Sequence, residues 1–157
     1  MPLMLSPTGM SQLFHESGEA AVARAAAAAG VPYGLSTMAT TSIEAIAATG
    51  ANRYFQLYLC RDRGLTKALL ERAAANGYGA LCLTVDTAIA GNRERDLRTG
   101  FSIPFRLTLG GMAQFAVKPR WGINYVTHEK FSLPQLDAHI DMKGDSLTIG
   151  RYFLPSK

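Results

Sequence analysis

The sequence predicts an α/β chain with parallel strands, and three observations carry that prediction. Four short apolar runs alternate with helical segments from residue 2 to residue 86. Successive runs begin about 20–30 residues apart, the spacing of β-α-β units closed by right-handed crossovers. The fourth run, ALCLTV at 80–85, is continuously apolar, as a strand covered on both faces is.

Taken in order, residues 2–6 (PLMLS) read as the first strand. Ser17 to Ala29 form an Ala-rich helix that Gly30 stops, and residues 32–36 (PYGLS) form the second strand. A helix follows from Ser42, with Thr41 and Glu44 spaced as a capping box in which each side chain bonds the other's backbone N–H. Residues 53–59 (RYFQLYL) make the third strand. Asp62 caps the next helix, where Leu65, Leu69 and Ala73 share a face and Gly77 supplies the stop. Residues 80–86 are the fourth strand.

Two architectures accommodate this order, an open doubly wound sheet or part of a (β/α)8, TIM-type, barrel. The turn after the first strand, SPTGMSQLF, holds one glycine, a poor match to GxGxxG. Polar residues favour the barrel. Ser6-Pro7-Thr8, Ser36-Thr37, Gln56 with Tyr58, and Thr84 with Asp86 all fall at the C-terminal ends of successive strands. In barrels that end is the active-site face. Ser36 and Thr37 alone fit helix capping equally well, but the four later residues together favour one polar pocket. Asp86 stands out, since a carboxylate leaving water costs several kcal/mol unless it is paired. Beyond residue 100 no period is visible, and a barrel needs about 250 residues. The expectation is therefore the first four β/α units of a barrel over 1–100, then an irregular excursion and tail over 101–157.

Of the 157 residues, 48% are hydrophobic and 18% charged, enough for one domain with a core. The net charge of +4 is mild and lies largely beyond residue 90, in Arg93, Arg95, Arg98, Arg106, Lys118 and Arg120. With no basic helical stripe and no interleaved aromatics, it reads as a solvated loop, and no nucleic-acid partner is expected. Cys60 and Cys82 lie in apolar runs and read as small buried hydrophobes, with no metal or disulfide, in keeping with a reducing, cytoplasmic setting. The N-terminus, MPLMLSPTGM, lacks the basic leader of a signal peptide, and no run reaches membrane-spanning length. His15 reads as structural. Trp121, in KPRWGINY, reads as a loop anchor ahead of a membrane-surface contact.

The runs PTGM, SGE.A.ARAAA, LST.A..SIE, FQLYL.RDR and LTVDT...G.RERDLR.GF resemble, in order and spacing, the FMN-dependent α-hydroxy acid oxidases and dehydrogenases. The likeness is close from residue 2 to about 107 and loose beyond, where it is similar to the excursion after strand four in dehydrogenase members. It implies a (β/α)8 barrel that holds FMN at its C-terminal mouth and oxidises a small L-2-hydroxy acid. The backbone at Pro7, Thr8 and Gly9 would lie against the flavin ring, with Ser36, Gln56 and Thr84 bonding its polar atoms. Tyr58 and Arg93 would contact substrate, and Asp86 would pair with the catalytic histidine. The Arg93-Glu94-Arg95-Asp96 run would begin the loop that closes over the substrate.

The resemblance also puts the catalytic histidine, the main carboxylate-binding arginine and the phosphate site beyond strand four. His128 and His139 lie outside the motif expected to hold the base. The chain alone is therefore expected to be inactive and to bind FMN weakly or not at all. The alternative is a non-catalytic half-barrel remnant or interaction module. The resemblance further implies a homo-oligomer in the full-length enzyme, and peripheral contact with the cytoplasmic face of a membrane through the loop after strand four. Gly9 stands where short-chain oxidases commonly carry alanine. The missing methyl would leave room for a larger substrate, of lactate or mandelate type.

Overall fold

The structure, a computed structural model, describes residues 3–85, 94–99, 117–127 and 132–137. Four strands form one sheet in the order β1-β2-β3-β4: β1 (Leu5–Thr8), β2 (Tyr33–Ser36), β3 (Arg53–Tyr58) and β4 (Ala80–Thr84). Every neighbouring pair is parallel. The crossovers carry α1 (Gly18–Ala29), α2 (Ile43–Ala47) and α3 (Arg63–Ala75), with a 3₁₀ turn at Ser11–Leu13 before α1. Sheet order that follows chain order is how consecutive staves of a barrel are laid down, whereas a doubly wound sheet reverses direction at a switch point.

Local signals account for most boundaries. The Asp62 carboxylate accepts the N–H groups of Gly64 and Leu65 at 2.7 and 3.2 Å, starting α3. Gly30 closes α1 at φ +66°, a left-handed conformation that costs glycine little. The α2 start differs from expectation. Ser42, not Thr41, is the cap, its hydroxyl accepting the Ala45 N–H at 3.1 Å. The capping box is not formed because both its members are engaged elsewhere: Thr41 Oγ1 donates to Glu19 and Glu44 pairs with Arg72. β1 also begins later than residue 2, where the Leu5 N–H reaches the Pro32 carbonyl.

The core lies on the outer face of the sheet. Tyr33, Leu35, Phe55 and Leu57 meet Ala23 and Ala26 of α1, Ile43 and Ile46 of α2, and Leu65 and Leu69 of α3. Leu133 and Leu136 join them. They belong to a part of the sequence expected to be irregular, yet α4 (Glu94–Thr99), α5 (Pro119–Thr127) and α6 (Pro134–Asp137) are helical. Single turns such as α6 are too short to register as a period, although an i, i+3 pair suffices to bury two leucines. The Glu94–Asp96 part of the expected closing loop likewise opens α4.

The expectation for β4 is not met. Leu81 and Leu83 are 49% and 47% exposed, and Cys82 is exposed rather than buried. Among the described residues no strand lies beyond β4 to pair with its outer edge. Cys60, by contrast, is buried as expected.

Candidate functional site

The register that sends Leu35, Phe55, Leu57, Leu81 and Leu83 outward turns the alternate residues to the concave face. Gly34, Tyr54 and Ala80 lie side by side there, then Ser36, Gln56 and Cys82, then Tyr58 and Thr84. An open groove of about 760 Å³ runs along this face, lined by Ser6, Pro7, Tyr54, Gln56, Tyr58 and Thr84 among others. That is within the span of about 300–1,000 Å³ usual for small-molecule sites.

A hydrogen-bonded row crosses the groove from strand to strand. Ser36 Oγ donates to Gln56 Oε1 at 2.8 Å, and Gln56 Nε2 donates to Thr84 Oγ1 at 2.6 Å. Ser36 Oγ also accepts the Met38 N–H. The row fixes the amide orientation of Gln56 and leaves capacity over: a second N–H, a second lone pair on Oε1, and the Thr84 hydroxyl proton. Ser36 and Gln56 are 3% and 4% exposed, so a ligand edge laid against them would meet oriented groups with little competing water. Thr37 holds the strand ends behind the row. Its hydroxyl donates to the Gln56 carbonyl at 2.7 Å and accepts the Tyr58 N–H at 3.1 Å, so it serves the sheet rather than a helix cap. Below, a Cβ on Gly34 would stand 2.5 Å from Tyr54 Cζ. The bare glycine lets the Tyr54 ring cross β2 and donate to the Leu5 carbonyl at 3.0 Å.

The rim on the β1 side is built from two loops in contact. The Met10 N–H reaches the Met38 carbonyl at 2.9 Å, with Met10 itself left-handed at φ 56°. A Cβ on Gly9 would lie 3.0 Å from Met38 Cβ and 3.2 Å from its carbonyl oxygen. The space of the missing methyl is thus occupied by Met38, and the larger-substrate expectation gains no free room from it. Behind the rim sits Glu19, fully buried in the first turn of α1, which accepts hydrogen bonds from both loops.

Of the expected site residues, Pro7, Gln56, Tyr58 and Thr84 line the groove, Ser36 joins the polar row, and Thr8 and Gly9 lead into the rim. Asp86 and Arg93 lie outside the described residues, as do His128 and His139. His15 Nδ1 accepts the Ser17 N–H at the entry to α1, a structural contact. Trp121 Nε1 donates to the Leu13 carbonyl at 3.0 Å, which anchors α5 to the loop after β1 as expected. Sequence reading missed Glu19 as a site-building residue, and it missed Gln135, whose Nε2 donates to the Thr41 carbonyl. For Glu19 the signal was an acidic residue in a helix's first turn within an otherwise Ala-rich stretch. Gln135 offered none.

Comparison with known proteins agrees with this fold. A family model described as FMN-dependent dehydrogenase matches residues 1–149. A Mycobacterium tuberculosis protein described as an L-lactate dehydrogenase is 45% identical over 139 residues, covering 87% of this chain and 34% of that protein. An L-lactate oxidase of Nostoc sp. is 48% identical over 117 residues, covering 71% and 32%. The chain spans about a third of the length of these relatives. Among solved structures, the monotopic membrane protein (S)-mandelate dehydrogenase superposes with a TM-score of 0.87 at 32% identity, over 98% of this chain and 42% of that one.

Proposed function

Because the chain belongs to the FMN-dependent dehydrogenase family, we propose that its concave face is the flavin-ring side of a site that oxidises a small L-2-hydroxy acid, of lactate or mandelate type, to the 2-oxo acid. The observation that carries this reading is the Ser36–Gln56–Thr84 row across the ends of three adjacent parallel strands. Its donor set fits the group. The pyrimidine edge of a flavin alternates acceptors and an N–H, and the row offers spare N–H, O–H and lone-pair capacity along one line. The apolar Pro7 and the backbone of Thr8 and Gly9 suit a flat ring laid beside them. When bound, FMN supplies a two-electron acceptor that side chains lack.

The chain's own residues then divide the remaining work. Gln56, Ser36 and Thr84 orient and polarise the ring edge. Tyr58 at the end of β3 and Arg93 contact the substrate, the arginine near its carboxylate. Asp86 pairs with the histidine that receives the substrate hydroxyl proton, and stabilises the imidazolium as it forms. These last two roles, like the whole reaction, belong to a full-length enzyme that carries these residues. In such an enzyme, Asp86→Asn should slow flavin bleaching by L-lactate or (S)-mandelate while substrate affinity changes little, because the lost charge acts mainly in the transition state. Affinity lost at unchanged bleaching rate would give Asp86 a binding role only, and absence of bleaching by any 2-hydroxy acid would end the reading.

A cytoplasmic location with contact at the membrane surface goes with this function. Val117 and Ile123 are exposed beside exposed Lys118 and Arg120, a pairing of apolar and basic groups that suits an anionic bilayer face. No helix among the described residues is long and apolar enough to cross a membrane. Sedimentation with phosphatidylserine vesicles, weakened by Ile123→Asp, is the expected result; equal sedimentation of parent and variant would remove α5 from the contact.

A further inference from the structure

Glu19 is a buried carboxylate that the proposed chemistry does not use. It accepts the Ser11 N–H and the Thr40 N–H, each at 3.0 Å, the Thr40 hydroxyl at 2.6 Å and the Thr41 hydroxyl at 2.9 Å. Among the described residues it makes no ion pair, so its charge is met by hydrogen bonds alone and by the N-terminal dipole of α1. Burial pushes its pKa up, but the bonds from the Thr40 side chain and from the Thr40 and Ser11 backbone outweigh this and hold it below the ordinary carboxylate value. None of these donors belongs to a strand or to the core. Two come from the backbone of different loops, one following β1 and one following β2.

Those are the loops that build the groove's rim. Besides Glu19, they meet through Met10 N–H to the Met38 carbonyl and Gln12 N–H to Thr40 Oγ1 at 3.3 Å. Gly9 packs on Met38, and Met38 is tied to Ser36 of the polar row. The left-handed conformation of Met10 is one that a non-glycine residue keeps only where its surroundings over-determine it. From the far side, Gln135 bonds the carbonyl of Thr41, so α6 braces the same node.

We infer that ionised Glu19 is a positioning residue, clamping the loops after β1 and β2 together so that the Pro7–Gly9 backbone and Ser36 face one flat ligand. The inference rests on the flavin reading of the groove. Glu19→Gln keeps the shape but removes the charge, so the bonds that Oε1 accepts from the Ser11 and Thr40 N–H groups weaken and an NH₂ replaces the oxygen that the two threonine hydroxyls donate to, which loosens the clamp without cutting into the core.

Amide hydrogen exchange by NMR, paired with titration by lumiflavin, a flavin ring without the phosphate chain, tests it on the 157-residue chain. In Glu19→Gln the Ser11 and Thr40 amides should exchange at least about tenfold faster, as loss of a charge-assisted bond requires, while Phe55 and Leu57 keep their protection. The lumiflavin dissociation constant, read from Gly9 and Ser36 shifts, should rise by a similar factor. Unchanged exchange at Ser11 and Thr40, or acceleration spread evenly over the sheet, overturns the inference. So does an unchanged lumiflavin constant beside a locally opened clamp. Should Glu19→Gln fail to fold, Thr40→Val removes one donor, and unchanged exchange at Ser11 in that variant is equally fatal. A parent chain with no lumiflavin response would match the weak flavin binding expected of the chain alone, and the exchange pattern would then decide by itself whether Glu19 clamps the loops.

Discussion

At Gly9 a single absent carbon separates two readings of the site. If the missing methyl made room for substrate, Gly9→Ala in a full-length enzyme would penalise mandelate more than lactate. A Cβ at this position would stand 3.0 Å from Met38 Cβ, which points instead to a close approach between two loops. The added methyl would push on Met38, and through its N–H on Ser36. Overpacking of this kind commonly costs about 1–3 kcal/mol. The expected outcome is therefore a similar fractional loss of kcat/KM on both substrates, with a lower Tm. A loss confined to the larger substrate would restore the size argument.

Between elements, the Glu44–Arg72 pair shows how modest an exposed ion pair is. It joins α2 to α3 through two bonds, 2.8 and 2.9 Å long. The hydrogen bond from Arg72 draws the Glu44 pKa from 4.5 down to about 2. A carboxylate whose pKa is lower folded than unfolded adds stability above the unfolded value and loses it as pH falls through the folded one. The contribution of Glu44 is thus complete above pH 4.5 and fades towards pH 2. Solvent screens the pair, so its worth is at most about 1 kcal/mol. Urea unfolding should find Glu44→Gln less stable than the parent at pH 7 by no more than this, with the gap narrowing as pH drops to 2. A gap independent of pH would assign the effect to packing.

Across the described residues the sheet is covered on its outer face over β2 and β3 and bare there at β4. Its outer face is closed by three helices and by Leu133 and Leu136, while β4 shows exposed Leu81, Leu83 and Val85. Among the described residues its outer edge pairs with no strand, and an apolar edge of this kind is a template for association. Sedimentation of the chain should show concentration-dependent self-association that Leu83→Lys reduces. A monodisperse monomer that melts cooperatively would show that β4 is covered in solution. The same open edge is where further staves would continue a barrel, consistent with a chain that spans 42% of the mandelate dehydrogenase structure it superposes on.

The parallel order of strands, the α1 and α3 boundaries and the gathering of Ser36, Gln56, Tyr58 and Thr84 at one end were legible in the sequence. Each depends on local chemistry: alternation that sends every second side chain to one face, a carboxylate cap at Asp62, a left-handed stop at Gly30. What the sequence could not convey depends on partners distant along the chain. Thr41 leaves its helix for Glu19, 22 residues earlier, and Gln135 finds Thr41 across 94. Leu133 and Leu136 enter the core from a stretch without period. Cys82 has the neighbours of a buried strand residue, yet is exposed because burial depends on what lies against the strand. Local propensity and alternation act between near neighbours and are written in the residue order. Clamps, docked turns and covered faces are settled only when the folded chain brings remote groups within hydrogen-bonding and packing distance.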